Sequence, residues 1–477
     1  MPAERLTTII AAGDTAALDR VFAAQRQAHA QTPYPSREAR ADRLDRLEQA
    51  LRRHDAAIRE AISEDFGGRA HEETLLYEQF LSIEGIRHAR RHLRRWMRPE
   101  PRRVAWWSLP GRARVLYQPL GVVGVIVPWN YPLYLAIGPL TGALAAGNRA
   151  LVKMSESTPR FGELFARLIA EAFGAEDVAV VNGGVDLARH FASLPFDHLL
   201  FTGSTRVGRE VMRLASEHLT PVTLELGGKS PVVVSDGFSL EEAARRIMIG
   251  KLANAGQTCV APDYALVPAD AVERFIGACR AATTTFYPTI EDNPQYTSIA
   301  TDRQFDRLQG YVENARAGGA TVHPLHDEPT DAARRRFAPV ALTGVEDEMR
   351  IMQEEIFGPL LPIVPYRGID EAIGYINGRP RPLALYYFGS SANRDRVLRG
   401  TMSGGVTVNN TLFHVGQDHL PFGGVGPSGM GDYHGFAGFR AFSKARAVFY
   451  DGRLSGSLLL RPPYGRLFGA VLRVLYR

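Results

Sequence analysis

Residues 115–148, VLYQPLGVVGVIVPWNYPLYLAIGPLTGALAAGN, run 34 positions without a charged side chain, and what they form decides the fold. A bilayer span needs about 20 apolar residues, so length alone admits one. Pro119, Pro128, Pro132 and Pro139, together with five glycines, cut the stretch into pieces too short to cross as one helix. The reading that remains is a buried strand at 122–127, a turn, and a buried helix packed on a sheet.

Downstream the alternation repeats. Short apolar runs at 150–153 (ALVK), 178–181 (VAVV), 198–202 (HLLFT) and 222–226 (VTLEL) separate longer amphipathic stretches, the pattern of a parallel, doubly wound α/β sheet. A second series follows residue 230, with strands expected near 263–267, 360–364, 384–388 and 405–408 and helices near 270–285 and 302–316. Ser239 and Glu242 mark a capping box at the start of a further helix. A Gly-rich segment, 416–431, interrupts the pattern, and 322–336 reads as an exposed loop. Upstream, 5–98 reads as helical. In its last helix Leu76, Phe80, Ile83, Leu93 and Met97 share an apolar face, while Arg87, Arg90, Arg91, Arg94, Arg95 and Arg98 line another. Residues 100–118 read as a hairpin around Leu109-Pro110-Gly111, carrying β-prone Trp106, Trp107, Val115 and Tyr117.

A chain of 477 residues holds about two to four domains. With 56 basic and 51 acidic residues the formal charge is +5, but 87–103 (RHARRHLRRWMRPEPRR) alone carry eight Arg and one Glu, a local +7 that leaves −2 for the rest. A nucleic-acid reader needs stacking platforms or a groove-fitting motif beside its arginines, and none of the recognised modules is present. The stripe is therefore expected to be a solvated or interface surface, with no nucleic-acid partner and at most weak contact with acidic lipid. Two cysteines exclude a disulfide framework, and the N-terminus lacks an apolar core of signal-peptide length. A cytoplasmic setting is expected, and no metal site. The 451–477 tail ends in an apolar run of about ten residues, too short to span, and is expected to pack on its own surface or on a partner subunit.

Several residues carry chemistry. Cys259, in NAGQTCVAPDY, has small polar neighbours that expose it, so it reads either as a small buried hydrophobe or as a thiolate nucleophile; Cys279 fits only the first. Glu225 ends an apolar strand, where ligand sites open in a doubly wound sheet. It is either a carboxylate surfacing at a strand end or a partly desolvated general base for water. Asn130, between prolines in PWNYP, is a turn residue or an amide donor to an oxyanion. FTGSTRVG (201–208) leads from a strand into a helix N-terminus that suits a pyrophosphate. It is neither a G-x-G-x-x-G fingerprint nor a Walker A loop, and GGKS at 227–230 fails Walker spacing because Thr223 stands where glycine is needed. Lys153 and Glu156 in KMSE form a solvated ion pair or hold ribose hydroxyls. Glu354-Glu355 read as an ordinary charged run.

The ordered set PWNYP, KMSE, FTGSTRVG, LELGGKS, GQTCVAPDY, QEEIFGP and LPFGGVGPSGMG closely resembles the aldehyde dehydrogenase superfamily over about residues 70 to 450. APDY and the DYHG at 432–435 look like its class-3-like branch. YPS at 34–36 and the arginine-rich helix are similar to the coniferyl aldehyde dehydrogenases within it. The resemblance implies a Rossmann-like NAD(P)-binding domain from 1–99 and 119–228, a catalytic α/β domain at 229–411, and a β oligomerisation element from 100–118 and 412–450. It also implies NAD(P)-dependent oxidation of an aldehyde, aromatic or medium-chain, to its acid through a cysteine thioester. Cys259 would attack, Asn130 and the Cys259 amide would hold the oxyanion, and Glu225 would activate water. Lys153 and Glu156 would take the adenosine ribose, Gly203 and Ser204 the pyrophosphate, and Glu355 with Phe357 the nicotinamide riboside; Trp129, Val207, Gly208 and Leu226 complete the cofactor set. Tyr131, Thr258, Phe413 and His414 would line the substrate pocket. NAD is favoured over NADP because Glu156 repels a 2′-phosphate, and a homodimer is implied. A cofactor-independent cysteine esterase or thioesterase, or a dehydrogenase passing the thioester to coenzyme A, are the competing readings; Glu225 argues against the last.

Overall fold

The computed structural model describes residues 9–10, 13–453, 461–462 and 464–476. Strands are numbered β1 to β17 along the chain. In the first sheet β4 (Val122–Ile126), β5 (Arg149–Lys153), β6 (Val178–Val181), β7 (His198–Thr202) and β8 (Val222–Glu225) run parallel in the order β6-β5-β4-β7-β8. β1 (Ile9–Ile10) adds parallel beside β6, and β16 (Gly429–Met430) pairs antiparallel with β8. The chain leaves β4 on one side and returns on the other at β7, which opens a crevice at the carboxyl ends of these two strands. Every residue of β4, β5 and β7 is buried, as a sheet covered on both faces requires.

The uncharged stretch thus becomes the end of β3 (Arg112–Pro119), β4, a loop, and the helix Tyr134–Ala146, most of whose residues are buried. Gly147 ends that helix in the left-handed region (φ +95). Asn148 then ties it back: its side-chain oxygen accepts from the amides of Leu120 and Gly121 at 2.7 and 2.9 Å, and its Nδ2 donates to the Phe442 carbonyl at 2.8 Å.

The second sheet contains β11 (Thr321–Pro324), β12 (Val340–Thr343), β13 (Leu360–Tyr366), β10 (Tyr264–Pro268), β9 (Pro231–Val234), β14 (Ala384–Phe388) and β15 (Gly405–Val408) in that order, parallel except for the β11 edge. A third, antiparallel sheet orders β17 (Ser443–Tyr450), β3 and β2 (Glu100–Arg102). The doubly wound α/β expectation holds.

Local differences have physical causes. The hairpin has only three β residues on its first arm; Trp106 and Trp107 lie in a 3₁₀ turn and are exposed, while β3 takes β17 as its long partner. Residues 322–324, expected in a loop, form an antiparallel edge with β12. Ile9–Ile10 are strand, not helix, because the β6 edge offers unpaired backbone groups. The capping box is half made: Ser239 Oγ accepts the Glu242 amide at 3.2 Å, but the Glu242 carboxylate turns to Arg245 and Arg246.

The single apolar face of the Arg-rich helix is also corrected. Residues Leu75–Phe80 form a π-helical segment ahead of the helix Leu81–Trp96, and the wider turn shifts the face. Leu76 and Phe80 remain exposed while Ile86, Ala89, Leu93 and Trp96 enter the core. Within the arginine stripe, Arg87, Arg90 and Arg91 pair with Asp45, Glu48 and Glu84. In the tail, Arg466–Leu475 is a helix with part-buried but no fully buried residues. No helix among the described residues is long and apolar enough to cross a membrane.

Candidate active site

Two cavities meet at the carboxyl ends of β7 and β8. One, of about 690 Å³, is mostly apolar and includes Tyr77, Phe80, Tyr131, Phe413 and Phe422 in its walls. The other, of about 300 Å³, includes Trp129, Asn130, Gly203, Ser204, Glu355 and Phe357. Thr202, Glu225, Leu226 and Cys259 line both.

Cys259 sits half-buried after a tightly wound turn. Asn254 and Ala255 (φ +52 and +51) precede Gly256 (φ +78), three consecutive residues in the left-handed region, at a cost of about 1–2 kcal/mol for each of the two with a side chain. Hydrogen bonds offset it. Gln257 Nε2 donates to the carbonyls of Asn254 and Ser298 at 3.0 and 3.1 Å, and its Oε1 accepts the Ala300 amide at 2.9 Å. Asn130 is buried beside this turn, with Nδ2 donating to the Gln257 carbonyl at 3.1 Å and a second N–H to spare. Its own carbonyl accepts from Asn254 Nδ2 at 3.1 Å and Arg69 Nη1 at 3.0 Å.

Arg69 was invisible in the sequence. Its guanidinium bonds Glu78 Oε1 at 2.7 Å with both side chains fully buried, and lies over the Phe66 and Tyr131 rings. Glu78 Oε2 accepts the amides of Leu133 and Tyr134 at 2.8 and 3.2 Å. This pair locks the 128–134 loop, and hence Asn130, from a sequence distance no local pattern reveals.

The electrostatics are those of a desolvated site. Burial, then Glu355 and Glu225, push the Cys259 thiol up to about 12. Burial, with Asp432 adding, holds the Glu225 carboxyl well above the usual range, and neither of its oxygens has a hydrogen-bond partner. Burial and then Asp263 raise Glu355 to about 8; its Oε1 is also unpartnered. Gly227 leaves the space that the Glu355 carboxylate occupies, since a Cβ there would displace it. Lys229, in the motif that fails as a phosphate loop, instead pairs with Asp263 and donates to the carbonyls of Ile351 and Glu354 at 2.7 and 3.0 Å. Arg307 completes the brace, donating to the Glu355 and Ile356 carbonyls at 3.0 and 2.8 Å. Phe357 takes φ +52 and meets Trp129 edge to face at 5.4 Å.

Lys153, Glu156, Val207 and Gly208, singled out in the sequence for the cofactor, lie outside the lining of both cavities. Lys153 is buried, donating to the carbonyls of Met154 and Gly183 at 2.7 Å each, and burial lowers its pKa. It makes no ion pair with the exposed Glu156. Val207 is on the first turn of Thr205–Ser216, its amide capped by Ser204 Oγ at 3.4 Å, and Gly208 leaves room for Leu226. Tyr131 and Thr258 line the apolar cavity, bonded to each other at 2.7 Å. His414 does not: Nδ1 pairs with Thr407 Oγ1 at 2.8 Å and the ring packs inside near Tyr386 and Phe422, because the buried hydroxyl of β15 needs a partner. Phe413 takes its place on the wall. The Gly-rich 420–431 run is explained by close backbone approach, since a side chain at Gly423 or Gly424 would collide with the Gly431 or Ser428 backbone. The Ser428 carbonyl accepts the Leu226 amide at 3.1 Å, which fixes the floor beside Glu225.

Comparison with known proteins agrees with this geometry. The sequence profile of the Aldehyde dehydrogenase family matches residues 2–448. The chain is 53% identical over 461 residues to the "Probable coniferyl aldehyde dehydrogenase" of Pseudomonas aeruginosa, covering 96% of each chain. It superposes on the substrate-bound state of Staphylococcus aureus AldH with a TM-score of 0.91 and 35% identity, covering 96% of this chain and 99% of that one. On the Mycobacterium tuberculosis aldehyde dehydrogenase complexed with NAD+ the TM-score is 0.83 at 28% identity, covering 94% and 92%. The chain belongs to the aldehyde dehydrogenase family, oxidoreductases acting on aldehydes.

Proposed function

We propose that the enzyme oxidises an aromatic, coniferyl-aldehyde-like or medium-chain aldehyde to its acid with NAD, through a thioester on Cys259. The observation that carries this reading is the sharing of Cys259 and Glu225 by two adjoining cavities, the larger of them strongly apolar. A cofactor-independent esterase would leave the second cleft without a role. The cleft suits a dinucleotide: Gly203 and Ser204 bring a capped helix N-terminus to it, the unpartnered Glu355 oxygen can accept a ribose hydroxyl, and Trp129 and Phe357 give it an aromatic wall.

The Cys259 thiol loses its proton to solvent, the thiolate sulfur adds to the aldehyde carbon as the carbonyl electron pair moves to oxygen, and the resulting oxyanion takes the free N–H of Asn130 and the Cys259 amide. When bound, NAD supplies the hydride acceptor that turns this adduct into a thioester. Glu225, once ionised, removes a proton from a water that attacks the thioester carbon, and Cys259 leaves as thiolate. The water is the only acyl acceptor the site needs, which favours hydrolysis over transfer to coenzyme A. Glu156 near Lys153 favours NAD over NADP, since a carboxylate there repels a 2′-phosphate. We further propose the domain division 1–99 with 119–228, 229–411, and 100–118 with 412–450, with the third sheet as the dimer face, in a cytoplasmic enzyme.

A panel of aromatic and aliphatic aldehydes compared by kcat/KM with NAD and NADP tests the assignment. Aromatic substrates with NAD are expected to lead, and Cys259→Ala to lose at least about 10⁴-fold in kcat. Full turnover by that variant would refute the thioester route; a preference for short aliphatic aldehydes would refute only the substrate class.

A further inference from the structure

We propose that His88, His92 and His419 form a binding site for one divalent late transition metal, with zinc as the reference ion. His88 and His92 stand four residues apart on the helix Leu81–Trp96, which places them on one face. His419 comes from the loop that follows the cavity wall. One ring nitrogen from each of the three lies within 4.8 Å of the others, and the ring centroids are 4.2, 4.4 and 5.4 Å apart. Zinc–nitrogen bonds of about 2.0–2.1 Å require the three nitrogens to draw somewhat closer, a movement the half-buried His92 and exposed His419 are free to make.

Three details support ligation over simple ring packing. His92 Nδ1 lies 2.9 Å from the His88 carbonyl oxygen; a carbonyl only accepts, so Nδ1 carries the proton and Nε2 presents its lone pair. Trp96 stacks on His92 at 5.9 Å and also flanks His88, holding both rings in place. The burial is graded, His88 inside and His419 at the surface, which leaves the fourth position open to water and an entry path. Arg91 and Arg95 oppose a cation; Asp418 lies beside His419, and Glu84 pairs with Arg91, so acidic as well as basic groups border the cluster. Three imidazoles select zinc, copper or nickel over calcium or magnesium.

Metal at this point would staple two walls of the apolar cavity. The loop before His419 supplies Asn410 to Gln417, and the segment ahead of the helix supplies Leu76 to Leu81.

The test uses the full-length chain carrying Cys259→Ser, which removes the competing thiol, titrated with Zn²⁺ against a chromogenic chelator. One zinc per chain is expected, with affinity falling at least about tenfold in His92→Ala and in His419→Ala. Cobalt substitution is expected to give visible bands that both variants lose. Both positions are solvent-accessible, so circular dichroism and aldehyde oxidation in the Cys259-intact background serve as folding controls. Zinc binding equal in parent and variants, or no stoichiometric binding in the parent, overturns the site.

Discussion

Glu225 is the residue whose chemistry depends most on its surroundings. An acid held well above its ordinary range by burial has a basic fraction that grows as pH rises past the usual carboxylate range. Where hydrolysis of the thioester limits turnover, kcat is therefore expected to climb with pH. Glu225→Gln should leave a single-turnover burst of reduced nicotinamide while lowering steady-state turnover by about 10²–10⁴-fold and flattening the pH limb; stopped-flow absorbance reads both. Cys259 makes a second prediction. With its thiol near 12, the thiolate fraction at pH 7 is on the order of 10⁻⁵. Alkylation of the cofactor-free enzyme by iodoacetamide should then rise about tenfold per pH unit from 7 to 9. Glu355→Gln removes one of the two carboxylates that raise the thiol and should speed alkylation above pH 8. A rate that plateaus near neutrality would show that the thiol is not held up. Cys259, Glu225 and Asn130 were all legible as residues because each sits in a short motif with a chemical reason. Arg69 and Glu78 were not, because the loop they brace lies 55 to 61 positions away, and a lone arginine in an arginine-rich chain carries no signal.

Among elements, the turn at 253–259 and the loop at 128–134 form one unit, joined through Asn130, Asn254 and Arg69. Breaking a fully buried ion pair by removing one partner strands the other charge, at about 3–5 kcal/mol. Glu78→Ala is expected to lower stability by that amount in a denaturant titration. Arg69→Lys keeps the charge but loses the planar fork, so it should cost far less stability while lowering kcat through a loosened Asn130. An equal loss of stability in both variants would mean that Arg69 acts only as ballast. The strands were legible here because fully buried parallel strands read as continuous apolar runs, as in VVGVI and VAVV. The π-helical segment Leu75–Phe80 was not, because one inserted residue alters the period without altering composition, and it turned Leu76 and Phe80 from presumed core into cavity wall. Likewise His88 and His92 show a helical spacing in the sequence, yet only the fold adds His419.

For the whole molecule, exposed aromatic surface is concentrated on the third sheet. Trp106, Trp107 and Leu109 project from the β2–β3 connection, and Phe449 and Tyr450 from the end of β17. β17 is also an eight-residue edge strand whose only partner among the described residues is β3. Apolar side chains and an unpaired edge in one place are what the proposed dimer face calls for, and a two-fold axis lets a single patch serve both subunits. Sedimentation equilibrium is expected to give twice the chain mass. Two like charges from each subunit brought into a closed apolar contact have no counter-ion there, so Trp106→Glu with Trp107→Glu should yield a monomer with unchanged circular dichroism. A dimer that survives this pair would move the interface off the third sheet, and a wild-type monomer at all concentrations would remove it.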